Sequence, residues 1–198
     1  MKTKIELLLR VMIEQLDGIR LIDIVICILL ALIITSLYYL VFLRNRIEKK
    51  NSFLVFLFAA VLYFEVTVFI TIIRRQPGSE YYSGNIVPYI EWGYVGDNKY
   101  AVRQVVYNIL NVVLFVPVGF FVRGLRRSYN TVKNGVISVM IGFLYSFIIE
   151  ILQLLSKRGT FELTDIVTNV AGSCLGVITY EILKRLCGDE KDSKEYIN

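Results

Sequence analysis

The sequence contains no histidine, and its three cysteines stand far apart at Cys27, Cys174 and Cys187. Histidine is the commonest metal ligand and the side chain that most readily acts as a general base near neutral pH. Cysteines without a paired spacing predict neither a disulfide framework nor a zinc site. The sequence therefore predicts no metal site and no cofactor.

Charged residues are scarce as well, at 20% of 198 residues, whereas 56% are hydrophobic and the mean hydropathy is +0.59. A soluble domain of this length carries more charge, because its surface must be solvated. The 22 Lys and Arg, against 17 Asp and Glu, fall outside the long apolar runs. That segregation is typical of membrane proteins and not of nucleic-acid-binding proteins. The sequence predicts an integral membrane protein that binds no nucleic acid.

Five apolar runs each have roughly the 20 residues that a helix needs to cross a hydrocarbon core of about 30 Å. They predict an all-α polytopic membrane helical bundle with transmembrane helices at residues 21–43, 53–73, 104–122, 135–155 and 164–183. The first two form an N-terminal pair, 21–73, and the other three follow a long loop within a second region, 74–183. Residues 184–198 are polar and predict an unstructured tail.

Residues 1–20 place apolar side chains on one helical face and charges on the other. The pattern predicts an amphipathic helix in the membrane interface, and a helix packed on the end of the bundle is the alternative. Residues 74–103, which we call the aromatic loop, alternate turn formers with aromatic side chains that include Trp92. Such a loop is expected at the level of the lipid headgroups.

Five spans put the two chain ends on opposite sides of the membrane. Side A holds residues 1–20, the aromatic loop and 156–163, whereas side B holds 44–52, 123–134 and the tail. Lys and Arg are denser on side B. The positive-inside rule then predicts a plasma-membrane protein with side B, and so the C-terminus, in the cytoplasm.

Three predicted spans carry polar side chains near side A, at spacings of three and four that place each set on one helix face. These residues are Gln104, Asn108, Asn111, Ser146, Glu150, Gln153, Asp165 and Asn169. We expect them to form one buried polar cluster, with Arg103 and Arg158 at its rim, close enough to pair with the carboxylates. A carboxylate within a bilayer costs at least about 2.5 kcal/mol, so it marks a functional site by default.

The alternative is a structural network in which Glu150 pairs with Arg158 and the asparagines bridge helices. Glu65, alone in the second span, is interpreted either as a member of the cluster or as an inter-helix hydrogen-bond donor. Gly172 and Gly176 form a small-xxx-small pattern that favours close helix packing. Pro117 is expected to kink the third span, a bend made easier by Gly119 and without functional meaning.

These residues carry a resemblance to a family. Residues 111–120 (NVVLFVPVGF) resemble the N-x-x-x-F-x-P-x-G segment of VanZ-like membrane proteins, and 85–89 (NIVPY), from Asn85, are similar to the Asn-Leu-Ile-Pro-Phe element that precedes it. Val118 and Tyr89 depart from the pattern. The resemblance covers about residues 80–180, with the first two helices outside it, and continues through Glu150, Gln153, Arg158, Asp165, Asn169, Gly172 and Gly176.

The founding member of that family is associated with resistance to teicoplanin, a lipid-bearing glycopeptide that binds cell-wall precursors. The resemblance implies an envelope protein, and we favour a non-enzymatic one. Its outer-leaflet pocket would bind a membrane lipid, a lipid-linked cell-wall precursor or the lipoglycopeptide, with Trp92 in the covering loop. The alternatives are an intramembrane enzyme with Glu150 and Asp165 as acid and base, and a small lipid transporter, which five spans without an inverted repeat disfavour.

Overall fold

The computed structural model describes residues 6, 13, 19–43, 50–75, 85–94, 99–126 and 131–195. Of the described residues, 86% are helical, which confirms the all-α class. The helices are α1 (Leu21–Tyr38), α2 (Lys50–Val68), α3 (Lys99–Leu125), α4 (Thr131–Ser156) and α5 (Leu163–Glu195). The π-helical turns Tyr39–Leu43 and Phe69–Ile73 extend α1 and α2, and two short strands are β1 (Ile86–Val87) and β2 (Phe161–Glu162).

All five helices are long and apolar enough to span a membrane, which confirms the predicted bundle and gives a multi-pass membrane protein. The outer helix α1 has one buried face, and its other faces are exposed. Its buried residues, Asp23, Cys27, Ala31 and Thr35, are spaced by four and form one stripe that packs on α2. The remaining faces expose Leu and Ile side chains, as an apolar solvent allows.

The C-terminal end of the chain differs from expectation, and most of the N-terminal end lies outside the described residues. The backbone of α5 remains helical to Glu195, so the prediction of an unstructured tail was wrong for residues 184–195. Residues 184–195 are rich in Lys, Arg and Glu and lack proline, a composition with high helix propensity. The predicted amphipathic helix at 1–20 lies outside the described residues, except that residues 6 and 13 are helical and residues 19 and 20 are not.

Among the described residues, helices α3 and α5 make the most extensive contact in the bundle. A Cβ atom on Gly172 would collide with the carbonyl oxygen of Val112, and one on Gly176 would collide with that of Val116. From the opposite side, a Cβ on Gly119 would strike the backbone of Ser173. Only glycine permits this approach, and it brings the polar ends of α3 and α5 together.

Helix α3 continues through Pro117 without interruption. Proline leaves a carbonyl of the preceding turn without its usual donor. In that turn, the hydroxyl group of Tyr63 in α2 donates a 2.7 Å hydrogen bond to the carbonyl oxygen of Leu114. The carbonyl group left without a donor is that of Val113, so this hydrogen bond ties α2 to the turn before Pro117 without replacing the missing donor.

On side B, α3 and α5 are joined by an ion pair between Arg123 and Glu181, whose charged atoms lie 2.5 Å apart. Arg123 is 1% exposed, donates to the carbonyl oxygen of Arg126 at 2.8 Å and lies over the ring of Tyr180. The sequence placed Arg123 in the loop after the third span, whereas the structure makes it part of the last turn of α3. A buried guanidinium requires such pairing.

Candidate functional site

Two carboxylates from different helices meet on side A. Glu150, near the end of α4, is 1% exposed and accepts a 2.9 Å hydrogen bond from the backbone N–H of Glu162. Asp165 lies in the first turn of α5, where the helix dipole favours an anion. Its carboxyl group hydrogen-bonds with the side chain of Asn111 on α3, and it acts electrostatically on Glu150.

A third carboxylate and a cation complete this group, and the sequence analysis missed both. Glu162 acts electrostatically on Glu150 and on Asp165, as does Arg75, which follows the π-helical turn of α2. An Nη atom of Arg75 lies 3.2 Å from the place that a Cβ on Gly159 would take. We call Glu150, Glu162, Asp165, Asn111 and Arg75 the carboxylate cluster.

The carboxylate of Glu162 is itself held from two sides. The hydroxyl group of Thr160 donates to one oxygen at 2.6 Å, and the side-chain amide of Gln104 on α3 approaches the other at 3.4 Å. The sequence already marked Gln104 as part of the polar face of the third span. Its contact with a residue of the 156–163 connection could not be read from helical spacing.

The expected pairing of Arg158 with the carboxylates was wrong. Within the part of the chain that the structure describes, Arg158 forms no ion pair with Glu150. Its Nη1 donates instead to the carbonyl oxygens of Ile73, at 2.6 Å, and Ile72, at 3.4 Å. The carbonyl groups at a helix end lack donors within the helix and carry partial negative charge, so they attract a guanidinium.

Gln153 binds the same end of α2, because its side-chain nitrogen donates to the carbonyl oxygen of Thr71 at 3.2 Å. The other expected rim cation, Arg103, donates from Nε to the hydroxyl group of Tyr107 at 2.7 Å. Gln153 and Arg158 therefore fasten the end of α2 beside the end of α4. That position brings Arg75, two residues after the π-helical turn, to the carboxylates.

Asn169 lies one turn deeper than Asp165 on α5 and is 4% exposed. Its side-chain nitrogen donates a 2.9 Å hydrogen bond to the hydroxyl oxygen of Ser146, which lies one turn deeper than Glu150 on α4. The pair links α4 with α5 directly beneath the carboxylate cluster. Asn169 thus contacts the floor of the cluster rather than its carboxylates.

The aromatic loop is fixed to the bundle above the cluster. The side chain of Asn108 on α3 donates to the carbonyl oxygens of Glu91, at 3.0 Å, and Trp92, at 3.1 Å. The hydroxyl oxygen of Thr164, which is fully buried at the start of α5, accepts the N–H of Glu91 at 2.8 Å. Asn108 therefore anchors the loop, a role that no side-chain pattern could indicate because its partners are backbone groups.

A second attachment lies at the start of the described part of the loop. The carbonyl oxygen of Asn85 accepts the N–H of Phe161 at 2.9 Å, and β1 pairs in parallel with β2. Asn85 thus acts here through its backbone. Trp92 likewise takes part through its carbonyl group, and it is 57% exposed. The rings of Tyr89 and Tyr94 are exposed beside it, as amphipathic aromatics are at a membrane interface.

Glu65 lies apart from the carboxylate cluster. It acts electrostatically on Cys27, which faces α2 from the outer helix α1. Its buried Oε2 has no hydrogen-bond partner among the described residues. Of the two interpretations from sequence, membership of the cluster was therefore wrong.

A comparison with protein-family models gives a match. The family model described as VanZ/LLP1 matches residues 24–184. The match includes the first two spans, so the limit at about residue 80 was too narrow, and the family covers all five helices. Searches of curated proteins and of solved structures give no match. Because the matched residues make up most of its length, the chain belongs to the VanZ/LLP1 family.

Proposed function

We propose that this protein resides in a bacterial cell envelope and lowers susceptibility to teicoplanin or other lipoglycopeptides by binding a lipid or lipid-linked ligand at the carboxylate cluster. Membership of the VanZ/LLP1 family supports the envelope role. The observation that carries the binding role is the meeting of Glu150 and Asp165 at the ends of α4 and α5, beneath an anchored loop. Apolar residues would hold a bundle together without the cost of buried carboxylates.

The candidate ligands are membrane lipids, a lipid-linked cell-wall precursor and the lipoglycopeptide itself. All three carry an acyl or prenyl chain that can lie along the spans while a polar group reaches the cluster. The exposed apolar side chains of Ile109 and Val113 on α3 offer such a chain a lipid-facing surface that leads towards side A. The anchored loop then limits access from water.

The second candidate function is an enzyme that acts on a lipid-linked envelope substrate. The two central carboxylates have unlike surroundings, because Glu150 accepts a backbone N–H whereas Asp165 lies at a helix N-terminus beside Asn111. Two carboxyl groups in different environments can divide the roles of general acid and general base. The variant series that separates this function from binding is given in the Discussion.

Expression of the protein in a susceptible bacterium is expected to raise the inhibitory concentration of teicoplanin by more than one doubling dilution. A glycopeptide without an acyl chain is the matched control, and its inhibitory concentration should not change. The membrane level of the protein is checked by blotting. An equal shift for both drugs, or no shift for either at a normal protein level, would contradict the proposed function.

The proposal places side A at the outer face of the plasma membrane and the C-terminus in the cytoplasm, since side B is richer in Lys and Arg. A Trp92→Cys variant should then react with a membrane-impermeant maleimide in intact cells. Native Cys187, which is exposed on side B, should react only after the cells are permeabilised. Labelling of Cys187 alone in intact cells would invert the topology and put the site in the inner leaflet.

A further inference from the structure

The carboxylate cluster contains more acidic than basic side chains. Glu150, Glu162 and Asp165 bring three carboxyl groups into mutual electrostatic contact. Among the described residues that act on both Glu150 and Asp165, Arg75 is the one cation. A second positive group at this place would therefore be strongly favoured, because the site lies at the edge of an apolar medium.

Asn108 adds an unused hydrogen-bond acceptor to this excess of carboxyl groups. Its side-chain nitrogen donates to two backbone carbonyl oxygens, which fixes the orientation of the amide and turns Oδ1 away from the loop. Gln104 and Asn111, one turn to either side on α3, reach Glu162 and Asp165. Asn108 lies on the same face of α3 as these two residues and is 7% exposed, and no described residue donates to its Oδ1.

Asn169 adds a second unused acceptor from below. Its Oδ1 is buried and accepts no hydrogen bond from the described residues, while its nitrogen is bound to Ser146. It lies one turn from Asp165 on α5, and Ser146 lies one turn from Glu150 on α4. Helices α3 and α5 thus each carry a buried amide oxygen that accepts no hydrogen bond from the described residues, one helical turn from Asn111 and from Asp165.

A site with surplus carboxylates and amide oxygens requires donors and positive charge from its ligand. A phosphate or carboxylate group would bring more acceptors and more negative charge, and a quaternary ammonium would bring charge without an N–H. A primary ammonium brings one positive charge and three N–H donors. We propose that the carboxylate cluster binds the primary ammonium group of a membrane amphiphile. The inference rests on the proposed function, since it specifies the ligand of the same site.

The chain provides its own probe for a test. Trp92 is the single tryptophan, and its carbonyl group is bound by Asn108 beside the cluster. Its fluorescence in the purified full chain, in maltoside micelles, is titrated with phosphatidylethanolamine, with N-acetylated phosphatidylethanolamine and with water-soluble glycerophosphoethanolamine. Loss of the ammonium should weaken binding at least about tenfold, because hydrogen bonds to charged groups are worth about 1.5–3 kcal/mol.

The three titrations distinguish the possible sources of the amine. Stronger binding of phosphatidylethanolamine than of the soluble headgroup supports an amphiphile, whereas equal binding of the two would overturn the membrane source. Equal binding of phosphatidylethanolamine and its N-acetylated form overturns the ammonium site. So does the absence of any binding by a protein that elutes as a single monodisperse species.

A variant series tests the charge argument directly. Glu162→Gln, at a half-buried residue outside the spans, and Asp165→Asn should each weaken phosphatidylethanolamine binding about tenfold or more. Arg75→Gln should keep or strengthen it, because the resident cation competes with the ligand. Asp23→Asn on α1 should leave it unchanged. A loss in Arg75→Gln comparable to that in Glu162→Gln, in folded protein, would overturn the inference and indicate an anionic ligand.

If Asp165→Asn folds poorly, Glu162→Gln and the comparison of phosphatidylethanolamine with its N-acetylated form decide whether the ammonium site exists. The binding test also stands apart from drug susceptibility. Ammonium binding without an effect on teicoplanin susceptibility would contradict the proposed function and leave the ammonium site intact. The opposite result, protection without ammonium binding, would remove the ammonium site and keep the proposed function.

Discussion

Replacement of Gly176 by alanine is expected to separate α3 from α5 and to remove most of the folded protein from the membrane. The new methyl group would collide with the carbonyl oxygen of Val116 and crowd the backbone nitrogen of Phe120. Backbone atoms in the middle of a helix cannot step aside one at a time, so the helices must move apart. Overpacking of this kind typically costs about 1–3 kcal/mol, and more where backbone is struck.

Gly135→Ala is the matched control, because its methyl group would meet nothing closer than a Val177 methyl group at 3.5 Å, an ordinary contact. Thermal stability is measured by fluorescence-detected size exclusion of tagged protein after heating. Gly176→Ala should melt well below the parent protein, and Gly135→Ala should melt with it. Equal melting of both variants and the parent would show that the α3–α5 contact is looser than the structure indicates.

The five spans could be predicted from sequence because length and apolarity alone determine them in a bilayer. Helical spacing also predicted that Asn111, Glu150 and Asp165 approach one membrane face. The contact of Asn111 with Asp165 follows from the glycine-mediated approach of α3 and α5. The spans and the membrane face that these side chains approach depend only on the period of a single helix and on the alternation of membrane sides between consecutive spans.

The residues that could not be predicted act through the backbone or across long sequence separations. Arg158 binds the carbonyl oxygens of Ile72 and Ile73, and Asn108 binds those of the aromatic loop. Backbone acceptors have no sequence signature. Arg75 was overlooked because it follows the second span and lies far from Glu150 in the sequence, so that no helical spacing connects the two residues.

The end of the chain illustrates a different limit. The polar residues after Leu183 indicate where the membrane-spanning segment ends. They were also interpreted as the end of the helix. The helix continues because Lys, Arg and Glu are good helix formers in water. Hydropathy therefore located the boundary of the span but not the boundary of the helix.

The variants Glu150→Gln and Asp165→Asn test the central claim, that the carboxylate cluster is the functional site. Both keep the shape of the side chain and remove its ionisable proton. The expected result is a partial loss of protection against teicoplanin for each single change and a complete loss for the double change. Asp23→Asn, a buried carboxylate on α1 paired with Arg20, is the control and should protect like the parent.

A complete loss from either single change, at a normal membrane level, would favour the enzyme, because general acid–base catalysis contributes about 10²-fold to 10⁴-fold and an amide cannot transfer the proton. The decisive measurement is therefore the inhibitory concentration of teicoplanin for cells with equal membrane levels of the parent, the two single variants, the double variant and Asp23→Asn. Graded losses confined to Glu150 and Asp165 are the predicted result. Full protection by the double variant would contradict the account.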